Sequence, residues 1–426
     1  MEMDATLVLM GSFRPHSRVS LFSGLFFDST ALLPISCHHP HSPAAPPLED
    51  DNLLSEILLR LPSEPSSLSR ASLVCKRWFG LVSDPGFSRR FRLHHRRNPP
   101  LLAFFDKFHG IYSAMEPPNR VPEGRFSLQL DDGEGARFLL IGCHQGLVLS
   151  RHRLLNQLLV WDPVTGDQHR FARPLGFETL GPSVHGAVLR AAGDVHHFQV
   201  VLVRTEISEQ HSRAIASVYS SETGIWGNLM STPLPPKASN SLLLFPPRIN
   251  TVFPGVQVGD SLYWLLSGIT AGILEFDLGR QSLSVIHVPV DIYARGSSHF
   301  TVMRADDGGL GFFFLSRFTT QLWKRKIDSD GVASWVMGRT FEIDKLFSLN
   351  SLKWGGVLTI RGFAEDNNVV FLSTATSLFM LQLESLQLKK LFDTTIVGFY
   401  HPFESVYAAG TGIGGGHGGP ELLHNT

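Results

Sequence analysis

The sequence predicts a chain that is α+β by domain: a small helical module, then an all-β, propeller-like domain of about six blades. Three observations carry this expectation. Apolar residues follow helical spacing up to about residue 98, and strand-like spacing takes over after Pro99-Pro100. A strand–acidic residue–turn–strand pattern then recurs at intervals near 50 residues, the length of a four-stranded blade. Finally, 39 Gly and 26 Pro among 426 residues suit many short strands and tight turns. A pair of β-sandwiches is the competing architecture for the second region.

Residues 1–47 are expected to be a disordered leader. Glu2 and Asp4 stand where a secretory signal needs positive charge, and residues 36–47, SCHHPHSPAAPP, form a Pro-rich linker. Arg14, Arg18 and nearby serines give the leader a faint transit-peptide character.

Residues 48–98 read as the helical module. Leu53, Leu54, Ile57, Leu58 and Leu61 lie at helical spacing, Asp50 or Asp51 caps the start, and Pro62 ends the helix. Ser66 or Ser67 is an expected N-cap for a second helix, and Leu68, Ala71, Val74, Trp78, Leu81 and Val82 supply apolar faces. Asp84-Pro85 restarts a helix with Phe87 and Phe91 four apart. So dense an aliphatic face in so small a module either forms its own core or awaits a partner.

These residues carry a resemblance. Leu48 to Trp78 is similar to an F-box, whose pattern runs through an opening Leu-Pro, a leucine-rich helix, a second Leu-Pro and Val-Cys-Lys-x-Trp. Here the helix is Leu53 to Leu61, the second Leu-Pro is Leu61-Pro62, and the last element is Val74-Cys75-Lys76-Arg77-Trp78. Leu81-Val82-Ser83-Asp84-Pro85-Gly86-Phe87 matches a common extension. One departure is that Glu49 rather than Pro follows Leu48. The resemblance implies docking to a Skp-type adaptor, and through it to a cullin ligase. The adaptor-binding face would draw on Leu53, Leu54, Ile57, Leu58, Pro62, Leu68, Val74, Cys75 and Trp78, some of which must form the module's own core. Cys75 is expected as a small buried apolar group rather than a reactive thiol.

The β region spans 99–408. Its apolar runs are Phe138–Gly142, Leu158–Trp161, Phe198–Val203, Ile215–Tyr219, Leu262–Leu266, Ile273–Phe276, Leu310–Leu315, Val369–Leu372 and Leu378–Leu383. Only Phe341–Phe347 competes as a helix. The repeat places acidic residues at Asp162, Glu222, Asp277, Asp328 and Glu384, separated by 60, 55, 51 and 56 residues. An incomplete first blade (Leu101–Phe105, Phe126–Leu130) would be closed by C-terminal strands such as Thr395–Phe399 and Val406–Ala408, removing exposed sheet edges. GCHQGLVL, VWDPVTG, SVYSSETGIW and VGDSLYWLL resemble the kelch-like, propeller-type region that follows the F-box in many plant proteins. Residues 409–426 read as a Gly-rich flexible tail.

Chemistry motifs are few. Gly259-Asp260-Ser261-Leu262 spells a hydrolase nucleophile signature, but it reads as a turn entering a strand, without the required elbow. Gly410, Gly412 and Gly415 match a dinucleotide fingerprint by letters alone, with no helix to follow. Cys37, His38, His39 and His41 lack a second cluster of metal ligands. Arg89, Arg90, Arg92 and His94-His95-Arg96-Arg97 form a basic run that reads as a solvated helix end rather than a nucleic-acid site. Catalytic residues, cofactors and metals are not expected.

Charge and cysteine content limit the remaining classes. With 37 Lys and Arg against 38 Asp and Glu, the net charge of −1 gives no footprint for nucleic acid. It divides into −1 for the leader, +3 for residues 48–98 and −3 for the rest. Three scattered cysteines and no Asn-x-Ser/Thr sequon fit a reducing compartment, cytoplasmic, nuclear or both. No apolar run reaches the 18 or so residues of a membrane span. The expectation is a non-catalytic substrate receptor of a Skp–cullin–F-box type ubiquitin ligase that binds an unidentified target protein. Phe104–Pro118, Glu206–Arg213, Pro233–Arg248 and Tyr293–His299 are its candidate variable loops. A non-ligase interaction scaffold, and a propeller enzyme or glycan-binding protein, are the alternatives.

Overall fold

The computed structural model describes residues 50–126, 128, 137–177, 184–191, 197–208, 211–235, 247–267, 272–289, 300–316, 319–347, 358–394 and 398–408. The expected leader, the Gly-rich tail and the Tyr293–His299 loop lie outside these residues, as do residues 236–246 of Pro233–Arg248, residues 209–210 of Glu206–Arg213, and Cys37, His38, His39, His41, Gly410, Gly412 and Gly415.

Four helices open the described chain: α1 (Asp51–Leu59), α2 (Pro65–Ser72), α3 (Lys76–Ser83) and α4 (Pro85–His95). Their starts follow local chemistry. The Asp50 carboxylate accepts the backbone N–H of Asn52 at 2.8 Å, and Asp84 accepts that of Phe87 at 2.7 Å. For α2 the cap is Glu64 rather than Ser66 or Ser67, because Pro65 takes the first helical position and needs no N–H partner there. Leu54, Leu58, Leu59, Leu68, Ala71, Val82, Phe87 and Phe91 form the core of the module. Val406 and Ala408, from the far end of the chain, complete that core.

Six antiparallel sheets follow. Strands β1 (Leu101–Asp106) and β2 (Ile111–Ser113) begin blade 1. Blade 2 comprises β3 (Phe138–His144), β4 (Leu147–His152), β5 (Gln157–Trp161) and β6 (Gln168–Ala172). In blade 3, β7 (Val184–Arg190), β8 (Phe198–Ile207) and β9 (Ser212–Ser220) are flanked by the short β10 (Ile225–Trp226) and β11 (Met230–Pro233), both on β9. Blade 4 sets β12 (Arg248–Ile249) and β13 (Val256–Val258) on β14 (Ser261–Ser267), then β15 (Gly272–Asp277) and β16 (Ser282–His287). Blade 5 is β17 (Phe300–Arg304), β18 (Leu310–Ser316), β19 (Thr319–Ile327) and β20 (Ala333–Glu342), followed by the single turn α5 (Ile343–Leu346). Blade 6 is β21 (Thr359–Ala364), β22 (Val369–Ser373), β23 (Ser377–Gln382) and β24 (Leu388–Asp393). The last strand, β25 (Tyr400–Glu404), returns to pair with β1, so one blade holds both ends of the ring.

This arrangement is a six-bladed propeller, and the sandwich alternative falls. Each blade is buried at its inner strand and opens to solvent at its outer one: β3 is buried throughout, whereas β6 alternates. Apolar clusters fill every gap between neighbouring blades. All five repeat acids fall at the turn between the third and fourth strands, in blades 2 to 6. There the Asp162, Asp277 and Asp328 carboxylates accept backbone N–H groups and shape the turn.

Several expectations need correction. Closure uses Tyr400–Glu404 rather than Val406–Ala408, and Ile111–Ser113 pairs with β1 in blade 1. Residues 395–397 of the expected Thr395–Phe399 strand and residues 127, 129 and 130 of Phe126–Leu130 lie outside the described residues. Glu123–Phe126 is a 3-10 turn. Within Phe104–Pro118, Phe104 and Phe105 are fully buried in β1 and form no variable loop. The helix expected at Phe341–Phe347 shrinks to α5, because β20 runs through Glu342.

Candidate functional site

Burial divides the nine residues that the resemblance implied. Leu54, Leu58 and Leu68 are at most 1% exposed, so they support the surface from beneath. Leu53 (43% exposed) and Ile57 (39%) stand one turn apart on the outer side of α1. Val74 (61% exposed), in the α2–α3 turn, is joined in solvent by Pro62 and Cys75, while Trp78 is half-buried against the core. Leu73, at 74% exposed, and Phe79, at 51%, are further exposed apolar side chains of the module that were not singled out from the sequence. Their signal was available: Leu73 lies beyond the last turn of α2, where no helix neighbour covers it. The buried role expected of Cys75 is corrected, because the cysteine lies outside α3 as its N-cap, with the chain extended (φ −163°), and is exposed. Arg77 Nε donates to Asp51 at 2.7 Å and pins α3 against the start of α1, fixing the surface.

The module is tied to the propeller at one face of the disc. Arg96 Nη2 donates to Gln145 Oε1 at 3.0 Å in the β3–β4 turn and to the Arg190 carbonyl at 3.4 Å. Asn367 donates to the Pro99 carbonyl at 3.0 Å, and Ser66 N donates to Asn119 Oδ1 at 3.2 Å. A nitrogen of the His95 ring bonds the Leu59 carbonyl at 2.9 Å. The basic run is therefore not simply a solvated helix end: Arg96 and His95 are structural clamps.

Beneath this joint lies the mouth of the central channel, a cavity of about 460 Å³ reached by His144, Glu365, Asp366, Glu404 and Arg304. His144 Nδ1 approaches Glu365 at 3.3 Å, and Trp264 Nε1 donates to His185 Nδ1 at 3.2 Å. Burial holds His144 and His185 down to about 4, and pushes the Glu365 carboxyl well above its usual range. Burial also pushes Glu404 up to about 7 and raises the Cys143 thiol, which stays protonated. Burial thus favours the uncharged forms of His144, His185, Glu365, Glu404 and Cys143. Among the described residues, no cluster of three His, Cys, Asp or Glu side chains is placed to hold a metal ion. Ser261 opens β14 and pairs with Val258 and Asp277, so its signature sits between strands without a helix elbow.

Comparison with known proteins agrees with this geometry. The F-box-like family matches residues 51–94, which contain most of the four helices. The family described as F-box protein AT5G49610-like, beta-propeller, matches residues 167–408, more than half of the chain. F-box protein At5g03970 of Arabidopsis thaliana is 24% identical over 325 residues, covering 71% of this chain and 69% of its own length. Putative F-box/kelch-repeat protein At3g17540, also of Arabidopsis thaliana, is 32% identical over 128 residues, covering 28% of this chain and 31% of its own length. Among solved structures, a luciferin-regenerating enzyme overlaps 60% of this chain and 75% of its own, at 9% identity and a TM-score of 0.34. A likeness that loose carries no argument about activity. With its four-helix module and closed six-bladed ring, the chain belongs to the AT5G49610-like family of F-box β-propeller proteins.

Proposed function

We propose that the chain is a non-catalytic substrate receptor of a Skp–cullin–F-box type ubiquitin ligase, working in the cytoplasm, the nucleus or both. One observation carries the reading: Leu53, Ile57, Leu73, Val74 and Phe79 stand exposed on a module whose core is already filled. Apolar side chains gathered on a small rigid surface mark a protein contact. A Skp-type adaptor covers them, with Pro62, Cys75 and Trp78 at the same surface and Leu54, Leu58 and Leu68 holding it in shape. The propeller binds a target protein and the joint at Arg96 holds it at a fixed orientation to the adaptor. The receptor thus contributes local concentration and alignment, while the chemistry belongs to other subunits.

Co-expression with a Skp-type adaptor tests this. The wild-type chain retains the adaptor through size-exclusion chromatography. Leu53→Asp and Val74→Asp lose it while keeping wild-type thermal unfolding, because both side chains are exposed. A wild-type chain that fails to retain the adaptor sinks the reading.

A further inference from the structure

The propeller face opposite the F-box module carries a patch with its own chemistry. Arg96 meets the β3–β4 turn, so β4 runs away from the helices and its end, His152, lies at the far face. The β1–β2 turn and the segment after β6 reach that face as well, since β1 leaves directly from the linker and Ala172 pairs with Gln157. Among the described residues, 107–110, 137, 151–156 and 173–177 include Lys107, Arg137, Arg151, Arg153 and Arg173 and no Asp or Glu. Asp131, Asp132, Glu134 and Glu178, which adjoin these segments in sequence, lie outside the described residues. Asp106 borders them, but it is occupied in capping the β1–β2 turn, accepting the N–H groups of Phe108 and Gly110.

Of these cations Lys107, Arg137 and Arg153 are exposed, while Arg151 and Arg173 are buried. The same segments carry exposed apolar side chains, Leu154 at 73%, Leu155 at 55%, Leu175 at 83% and Phe108 at 66% exposed. The leucine turn is built rather than loose. Buried His152 accepts the N–H groups of Leu154 and Leu155 through Nδ1, at 3.1 and 2.8 Å. Arg173 Nη2 donates to the Leu155 carbonyl at 3.0 Å, holding the segment that bears Leu175 beside it. Burial first, and then the nearby Arg151 and Arg153 charges, lower the basicity of Lys107, so the three cations lie close enough to act on one another.

We infer that this surface docks an acidic peptide segment carrying leucine-like side chains, with carboxylates meeting the exposed Lys107, Arg137 and Arg153 cations and apolar groups seated on Leu154, Leu155 and Leu175. The inference rests on the receptor reading and names the class of target it takes. Positive charge alone would suit many anions. The fixed leucines among the cations select a partner that is both acidic and apolar.

The test uses the purified full-length chain and a short fluorescein-labelled peptide of glutamates with central leucines. Two control peptides replace Glu by Gln or Leu by Ser. Anisotropy should show binding of the Glu–Leu peptide only, weakened by added salt. Arg153→Glu and Leu154→Ser, both in an exposed turn, should each weaken it about ten-fold with an unchanged thermal midpoint. Equal binding of the Gln peptide, or variants that bind like wild type, overturns the assignment. So does an oligothymidine that binds as tightly and ignores Leu154→Ser, which marks a nucleic-acid surface. No adaptor is present in the assay. Failed adaptor capture with intact peptide binding therefore removes the receptor reading alone, and the reverse removes the surface alone.

Discussion

Arg96 donates to Gln145 Oε1 at 3.0 Å, and Gln145 Nε2 passes the contact on to Gln257 Oε1 at 2.9 Å. One hydrogen-bond chain therefore runs from the end of the helical module, across the channel mouth, to blade 4. Gln145 is held in the left-handed region (φ 51°), a conformation that costs a non-glycine residue energy and persists only when its surroundings fix it. The Arg190 guanidinium helps, donating to the Gln145 carbonyl at 3.0 Å and to Asp162 at 2.6 Å. On the proposed receptor reading, presenting a target at a set angle calls for a joint of this kind rather than a free linker.

Arg96→Ala is expected to loosen that joint without unfolding the ring. The lost charge-assisted bonds correspond to about 1–3 kcal/mol. Hydrogen exchange at α4 and at residues 96–100 should quicken, and proteolysis should begin in that segment. Amides of β3 and β8 should keep their protection.

The two ends of the described chain separate module stability from ring closure. Val406, 5% exposed, lies in the F-box core, two residues beyond the end of β25. Val406→Asp places an unpaired carboxylate there, at about 3 kcal/mol or more. It should melt α1–α4 while the blades stay closed. Phe403→Ala should do the converse. Its ring lies 5.5 Å from Phe105 and 5.3 Å from Phe126, inside blade 1. Its loss should lower the denaturation midpoint of the propeller by about 3–5 kcal/mol in stability. Circular dichroism at helix and strand wavelengths, followed through a urea titration, distinguishes the two.

The same contrast explains what the sequence made legible. Asp162, Asp277 and Asp328 mark one turn of their blades because their carboxylates accept its N–H groups, and Glu222 and Glu384 stand at the same place in blades 3 and 6. Blade 1 leaves no such mark: β2 is three residues long, and β25, Tyr-His-Pro-Phe-Glu, has neither alternation nor a β-branched residue. Its pairing with β1 bridges almost 300 residues, a relationship no local pattern carries. Nor could periodicity sort the F-box leucines. Leu53 with Ile57 and Leu54 with Leu58 are both four-residue pairs on α1, and only packing by α4 and Val406 decides which pair is covered. Arg96 looked like part of a basic run because its partner Gln145 lies 49 residues away.

Buried ionisable groups in the channel set opposing pH trends. Burial holds His109, His144 and His185 near 4, from a usual 6.5. Between those values the unfolded chain takes up protons that the native rings refuse, so stability falls as pH drops from 6.5 toward 4. Glu404 is pushed from 4.5 to about 7, so its native carboxyl keeps a proton the unfolded chain has released. That contribution is complete below 4.5 and is lost as pH rises through 7. Glu404→Gln removes only the second trend and retains an acceptor for Asn367, which donates to Oε1 at 2.8 Å. The variant should match wild type near pH 4.5 and exceed it by about 1–2 kcal/mol at pH 8. Urea midpoints measured across this range check the sign. A variant no more stable at pH 8 would show that Glu404 is not strained by its burial.

Cys75 reports directly on the proposed adaptor surface. It is exposed beside Val74, whereas Cys143 is buried and its thiol is pushed toward the protonated form. Thiol reactivity requires access and thiolate, and Cys143 has neither. In a Cys37→Ser background, maleimide should therefore label Cys75 promptly and Cys143 only after denaturation, as mass spectrometry of tryptic peptides resolves. Adding a saturating Skp-type adaptor should slow labelling of Cys75 at least about ten-fold, because Leu73, Val74 and Cys75 form one exposed turn within the proposed docking surface. Val74→Asp should abolish that protection without changing the rate in the free chain. A bound adaptor that leaves the Cys75 rate unchanged would place the docking surface elsewhere on the module.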